Sequence, residues 1–165
     1  MGLSHWGITS GPPLSGIDLK NIFTIRTLND GLTIKQYIDK ERPKRAVIVG
    51  GGYIGMEMCE SLHKRGLEVT VVEKMDRVLG TMDQEITNVV EEKLAAKGIK
   101  LFKGTSVEGF EGDEAGLVKK VLTDQGEFDA DLVLLAVGVR PNTDLAQEAG
   151  IELGARGAID SRECG

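Results

Sequence analysis

Cysteine is nearly absent from this chain. Cys59 and Cys164 are the two present, far apart in sequence, with no C-x-x-C pair and no metal-ligand spacing. That excludes a zinc ribbon or a paired-cysteine redox centre built from this chain alone, and no metal site is expected. Two isolated thiols fit a reducing compartment, so a cytoplasmic location is expected. Cys59 falls within a helical pattern and reads as a small apolar residue. Histidine is equally scarce. His5 lies near the start and His63 at a charged helix end, and both are expected to face solvent, with no catalytic cluster.

Positive charge is also lacking. The net charge is −6, which argues against nucleic acid or an anionic membrane surface as partner. No apolar run approaches the roughly 20 residues of a membrane-spanning helix. The N-terminus has no basic region followed by an apolar core, as a secretory signal would. Repeats and low-complexity tracts are missing too. Aromatic residues make up only 4% of the chain, yet 41% is apolar, enough for a sizeable core. A length of 165 residues suits one domain.

What is present centres on Arg45-Ala-Val-Ile-Val-Gly-Gly-Gly-Tyr-Ile-Gly-Met-Glu-Met-Cys-Glu60. Ala46 to Val49 is a short, largely β-branched apolar run, the signature of a strand buried on both faces of a parallel sheet. Gly50, Gly52 and Gly55 then make G-x-G-x-x-G, with Gly51 as an extra glycine. A helical pattern follows directly, with Ile54, Met58 and Leu62 as its expected inner stripe and Gly66 as its stop. Val69 to Val72 is a second buried strand, ended by Glu73.

This combination points to a dinucleotide site. Gly50 permits a sharp turn out of the strand, Gly52 lets a pyrophosphate approach the backbone, and Gly55 lets helix and strand pack closely. The helix N-terminus offers N–H groups and a positive dipole end to phosphates. A carboxylate at Glu73 can accept hydrogen bonds from the adenosine ribose hydroxyls. The alternative is a tight turn that binds nothing, since 22 glycines make chance matches easy.

The remaining chain supplies the frame. Residues 1–17 are glycine- and proline-rich loop. Ile22 to Leu28 is a short extended segment, and Asn29 is the expected cap of a helix through about Lys40, with Ile34, Tyr37 and Ile38 inward. Asp83 should cap a helix whose apolar face is Ile86, Val89, Val90 and Leu94, ending at Gly98. Ile99 to Phe102 is a third strand. Ser106–Phe110, Leu117–Thr123 and Glu127–Phe128, separated by glycines, suggest an antiparallel meander. Asp131 to Gly138 returns to the buried sheet, Arg140-Pro-Asn marks a turn, and Asp144 can cap a short helix. The fold expected is α/β: a Rossmann-like, doubly wound parallel sheet with an inserted antiparallel β-meander, in a single domain.

With these motifs in place, the chain resembles the NAD(P)H-binding domain of the FAD-dependent pyridine nucleotide–disulphide oxidoreductases. It is most similar to their coenzyme A-disulphide reductase and NADH oxidase branch. The matching residues are Val47-Ile-Val-Gly-Gly-Gly-Tyr-Ile-Gly-Met-Glu57, Val71-Val-Glu73, Ala136-Val-Gly-Val-Arg-Pro-Asn142 and the tail Ile151 to Ile159. The resemblance implies that Gly50, Gly51, Gly52, Tyr53, Ile54 and Gly55 line the pyrophosphate and that Glu73 holds the ribose. It implies Glu57 near the nicotinamide end, though a first-turn acid favoured by the helix dipole explains it equally. Val107 would touch adenine, or serve only as strand core. Gly138 would sit at the ligand-binding sheet edge, or be a simple turn glycine.

Family members also carry an FAD-binding glycine loop, a redox cysteine and a later Gly-Asp flavin motif. None of these occurs here, so the resemblance implies a central domain excised from a longer parent. Residues 1–43 would be leader and linker from its FAD domain with one helix, 44–140 the NAD(P)H-binding core, and 141–165 the return segment. The parent, expected to be a homodimer, would pass hydride from nicotinamide to FAD and reduce a disulphide, coenzyme A disulphide or oxygen. This chain would bind the dinucleotide without turnover and hold no catalytic residue. Glu73 favours NADH over NADPH by like-charge repulsion of the 2′-phosphate, by about tenfold or ~1.4 kcal/mol. Lys74 and Arg77 could instead bridge that phosphate. A stand-alone NADH sensor without redox chemistry is the competing class. A complete dehydrogenase would need a proton-transfer group, for which Tyr37 with Lys40, or Tyr53, is a weak candidate.

Overall fold

A computed structural model of the chain describes residues 14–138 and 141–160. His5, Cys164 and the Arg140 turn lie outside the described residues. The elements run β1 (Ile22–Thr24), α1 (Leu28–Glu41), β2 (Arg45–Val49), α2 (Tyr53–Lys64), β3 (Glu68–Val72), α3 (Gln84–Ala96) and β4 (Lys100–Phe102). Then come β5 (Val107–Gly112), β6 (Val118–Thr123), β7 (Gly126–Asp129), β8 (Leu132–Leu135) and α4 (Asp144–Glu148), with a 3₁₀ turn at Ala155–Gly157. No helix among the described residues is long and apolar enough to cross a membrane.

Five strands form a sheet in the order β1-β8-β2-β3-β4, every neighbouring pair parallel. The other three form the antiparallel meander β5-β6-β7. The central strands are buried on both faces, and their side chains alternate between two cores. Ala46, Ile48, Val69, Val71, Leu132 and Leu134 join Ile34, Ile38, Cys59, Leu62 and Leu94 of the helices. Val47, Val49, Val72, Val133 and Leu135 join Phe110, Val118 and Val121 of the meander. Helices cover one face and the meander covers the other.

The segment 22–41 belongs to this body: β1 pairs with β8, and α1 places Ile34 and Ile38 in the helical core. The meander is tied to the sheet by Asn21, which is 1% exposed. Its side chain accepts from Val118 N and donates to the Val118 and Asp131 carbonyls. At the start of β2, Asp131 accepts from the backbone N–H groups of Lys44 and Arg45, and its carboxylate pairs with the Arg45 guanidinium at 2.9 Å.

Several local expectations are corrected. Helix α1 is capped by Thr27, not Asn29. Thr27 and Asp30 form a reciprocal capping box, which satisfies two N–H groups where Asn29 would satisfy one. Of the expected inner stripe of α2, Leu62 is buried and Met58 packs half-buried against the helical core, but the helix is turned so that Gly55 and Cys59, not Ile54, are its other buried residues. Gly55 decides that rotation, because only its bare α-carbon can face the end of β2. In α3, Thr87 and Leu94 are buried, while Ile86 and Val89 are each 49% exposed. Asp83 stands at the N-cap of α3 with no side-chain cap bond, and the α4 N-cap is Thr143, not Asp144. His63 is half-buried.

Candidate functional site

The strand order turns between β2 and β8, and loops leaving their C-terminal ends meet there. Such a switch point is where open α/β sheets form ligand crevices. Gly50 turns the chain at φ +106°, a region closed to most side chains. A β-carbon there would stand 2.5 Å from the Ala136 carbonyl oxygen just past β8. Gly55 packs against the same turn, where a β-carbon would stand 2.0 Å from the Gly50 oxygen. Gly52 is the N-cap of α2, supplies no side-chain cap, and has nothing within 4 Å of a β-carbon position. The first N–H groups of α2 have no partner within the helix, as at any helix start. The arrangement can receive an anion, which the helix dipole favours.

Gly51 is buried and held on three sides. Its N–H donates to Glu73 Oε2 at 2.5 Å, and its carbonyl accepts from Leu79 N at 2.8 Å. A β-carbon on it would come within 2.8 Å of Val78 Cγ1. Glu73, half-buried at the end of β3, also accepts from Met75 N through Oε1 at 2.7 Å. Its own peptide is fixed by Phe102 and Thr105, and Gly104 N donates to the Met75 carbonyl. Each carboxylate oxygen keeps a second lone pair for a ligand hydroxyl. Lys74 is exposed beside it. Arg77 donates to the Gly80 carbonyl at 3.2 Å.

On the other side of α2, a cleft of about 690 Å³ is lined by Ile25, Arg26, Thr27, Tyr53, Ile54, Glu57 and Met58. It is apolar along Ile25, Ile54 and Met58, and carries an acid and a base. The capping box fixes the junction of β1 and α1 on its rim. The backbone N–H groups of Thr27 and Arg26 hold the Asp30 carboxyl below the usual aspartate range. Tyr53 is exposed, with its hydroxyl 3.3 Å from Thr81 Oγ1.

The structure thus gathers Gly50 to Gly55, Glu57, Glu73 and Lys74 along one edge of the sheet. Gly138 lies there too, exposed, at φ +104°. Val107 begins β5 and packs against the meander core, two residues from Thr105, whose N–H binds the Glu73 carbonyl. Sequence reasoning takes Lys74 to Gly80 only as a loop over the place where adenosine would lie; it missed the burial of Val78 and Leu79 and the cleft wall from Ile25 to Thr27. The signals were present: an apolar pair inside a charged loop, and a T-x-x-D capping pattern. Cys59 is fully buried, and burial pushes its thiol up to about 11. Among the described residues, no group of three or more His, Cys, Asp or Glu could hold a metal ion.

A parallel sheet with a glycine turn, an uncapped helix start and an acid ending the next strand defines a Rossmann-type α/β domain. The chain belongs to the pyridine nucleotide-disulphide oxidoreductase family, whose model matches residues 7–164. It is 42% identical over 153 residues to an NAD(P)H sulfur oxidoreductase (CoA-dependent) of Pyrococcus abyssi, covering 92% of this chain and 34% of that one. It is 40% identical over 165 residues to an NADH oxidase of Enterococcus faecalis, covering 99% of this chain and 36% of that one. The water-forming NADH oxidase of Lactobacillus brevis, solved bound to NADH, superposes with a TM-score of 0.79 at 30% identity, covering 90% of this chain and 32% of that one. The chain therefore spans about a third of the length of these relatives.

Proposed function

We propose that this chain is the NADH-binding domain of a flavin-dependent oxidoreductase. Its parent delivers hydride from NAD(P)H to FAD and reduces a disulphide, coenzyme A disulphide or oxygen. The reading rests most on one observation: the Gly51 N–H donates to Glu73 Oε2, joining the glycine turn to the acid of the next strand. The bound dinucleotide supplies the hydride. The residues of this chain bind and orient it.

Gly52 leaves room for the pyrophosphate, and the N–H groups at Tyr53, Ile54 and Gly55 receive its charge. Gly50 and Gly51 shape the turn beneath it. Glu73 accepts the adenosine ribose hydroxyls and disfavours the 2′-phosphate of NADPH. Lys74 flanks that ribose, and Val107 stands on the adenine side. The cleft at Glu57 receives the nicotinamide end, and Gly138 borders it. Residues 44–140, together with β1 and α1, form the NAD(P)H-binding core, and the flanking residues on either side lead from and to the FAD domain of the same parent, a cytoplasmic homodimer. Alone, the chain binds NADH without turnover.

Calorimetric titration of the full chain with NADH and NADPH tests this, after a check of the absorbance spectrum for flavin. The expected result is saturable NADH binding, weaker NADPH binding and no flavin. Failure of both nucleotides to bind, or a yellow protein, would overturn the reading.

A further inference from the structure

The segment after Glu73 is not a free loop. It returns to the glycine turn and docks there through Val78 and Leu79. Val78 is fully buried, and its Cγ1 lies 2.8 Å from where a β-carbon on Gly51 would stand. Glu73 Oε2 lies 3.1 Å from the same β-carbon position, so the space beside Gly51 is taken by both side chains. Leu79 is buried although it holds φ +49°, a left-handed conformation that side chains other than glycine rarely adopt. Two bonds accompany that conformation: Leu79 N donates to the Gly51 carbonyl, and Met82 N donates to the Leu79 carbonyl, both at 2.8 Å. An unfavourable backbone conformation persists only where its surroundings over-determine it, and such positions cluster at ligand sites.

We propose that Val78 and Leu79 are positioning residues for nucleotide recognition. They latch the 74–82 segment onto Gly51, so that the Gly51 peptide and the Glu73 carboxylate stay in one register. The inference rests on the dinucleotide reading of this site. It gives Gly51 a role separate from the phosphate: this position is glycine so that Val78 and Glu73 can both close on it. Neither Val78 nor Leu79 need touch the ligand. Loosening the latch frees Glu73 to swing, which weakens its grip on a ribose hydroxyl and relieves its repulsion of a 2′-phosphate.

The test is calorimetry with NADH and with NADPH on the full chain and on Val78→Ala, beside thermal unfolding. The latch predicts NADH affinity down by about fivefold or more, NADPH affinity down less, and the preference narrowed by about threefold or more. A lowered melting temperature with the preference intact would mean that Val78 is ordinary core, and the inference falls. Should Val78→Ala not fold, Gly51→Ala disturbs the same contact from the other side. An unchanged preference in that variant overturns the inference equally. If the unaltered chain binds neither nucleotide, the functional reading fails first and this inference with it. If it binds NADH normally and only the variants disagree, the inference alone fails.

Discussion

Asn21 accepts the backbone N–H of Val118 at 2.5 Å, and this contact joins two sheets that share no strand. Asn21 also donates to the Val118 and Asp131 carbonyls. Asn21→Ala would strand the buried Val118 N–H without its partner. Each unsatisfied buried group costs about 1–3 kcal/mol. Urea unfolding should show a loss of about 2–4 kcal/mol. A loss under about 0.5 kcal/mol would mean that the meander is held by its apolar face alone.

Gly52→Asp should move stability and binding in opposite directions. Gly52 already has N-cap backbone angles, φ −76° and ψ −174°, and open space around it. Aspartate caps a helix better than glycine by a few tenths of a kcal/mol, so the melting temperature should hold or rise slightly. The new charge stands where the pyrophosphate would lie, so calorimetry should lose the NADH signal. Binding that survives unchanged places the phosphates elsewhere.

Gly55→Ala should act on the fold. Its β-carbon meets the Gly50 oxygen at 2.0 Å, and the turn must shift to admit it. Helix α2 gains propensity, but overpacking typically costs about 1–3 kcal/mol and should dominate. Denaturant unfolding measures the net effect, and a stabilised variant would contradict the close approach.

Glu73→Ala should weaken NADH binding by about tenfold, or ~1.4 kcal/mol, and weaken NADPH less. The loss has two sources: the ribose acceptor, and the two backbone N–H groups, Gly51 and Met75, that the carboxylate holds. Equal weakening of both nucleotides would point to the second source alone.

Acid should weaken the fold through Asp131. The Arg45 guanidinium holds its carboxyl below the ordinary aspartate value of 3.8, assisted by the N–H groups of Arg45 and Lys44. A depressed folded-state pKa contributes stability that is whole above the unfolded value. That contribution is lost as pH falls from about 4 through the folded value. The side chain is a quarter exposed, so solvent screens part of the effect. Unfolding free energy should therefore fall more steeply below pH ~4 in the unaltered chain than in Asp131→Asn. Parallel pH profiles would remove Asp131 from the account.

The strand–turn–helix–strand unit from Arg45 to Glu73 was legible in the sequence because its signals are local. Buried strands, the glycine turn and the terminal acid all fall within one crossover, where spacing along the chain fixes spacing in space. The meander was legible from its glycines for the same reason. Helix rotation was not. Apolar spacing allowed Ile54, Met58 and Leu62 or the neighbouring stripe through Gly55 and Cys59. The close approach of Gly55 to Gly50 decided between them, leaving Ile54 and Met58 to line the cleft. Nor did spacing reveal what covers the second sheet face, since Asn21 and Val118 meet across 97 positions. Gly51 shows the division most plainly. As a residue type it promises a turn. Its burial between Val78 and Glu73 exists only once a distant loop folds back, because steric contact between segments is a property of the packed chain.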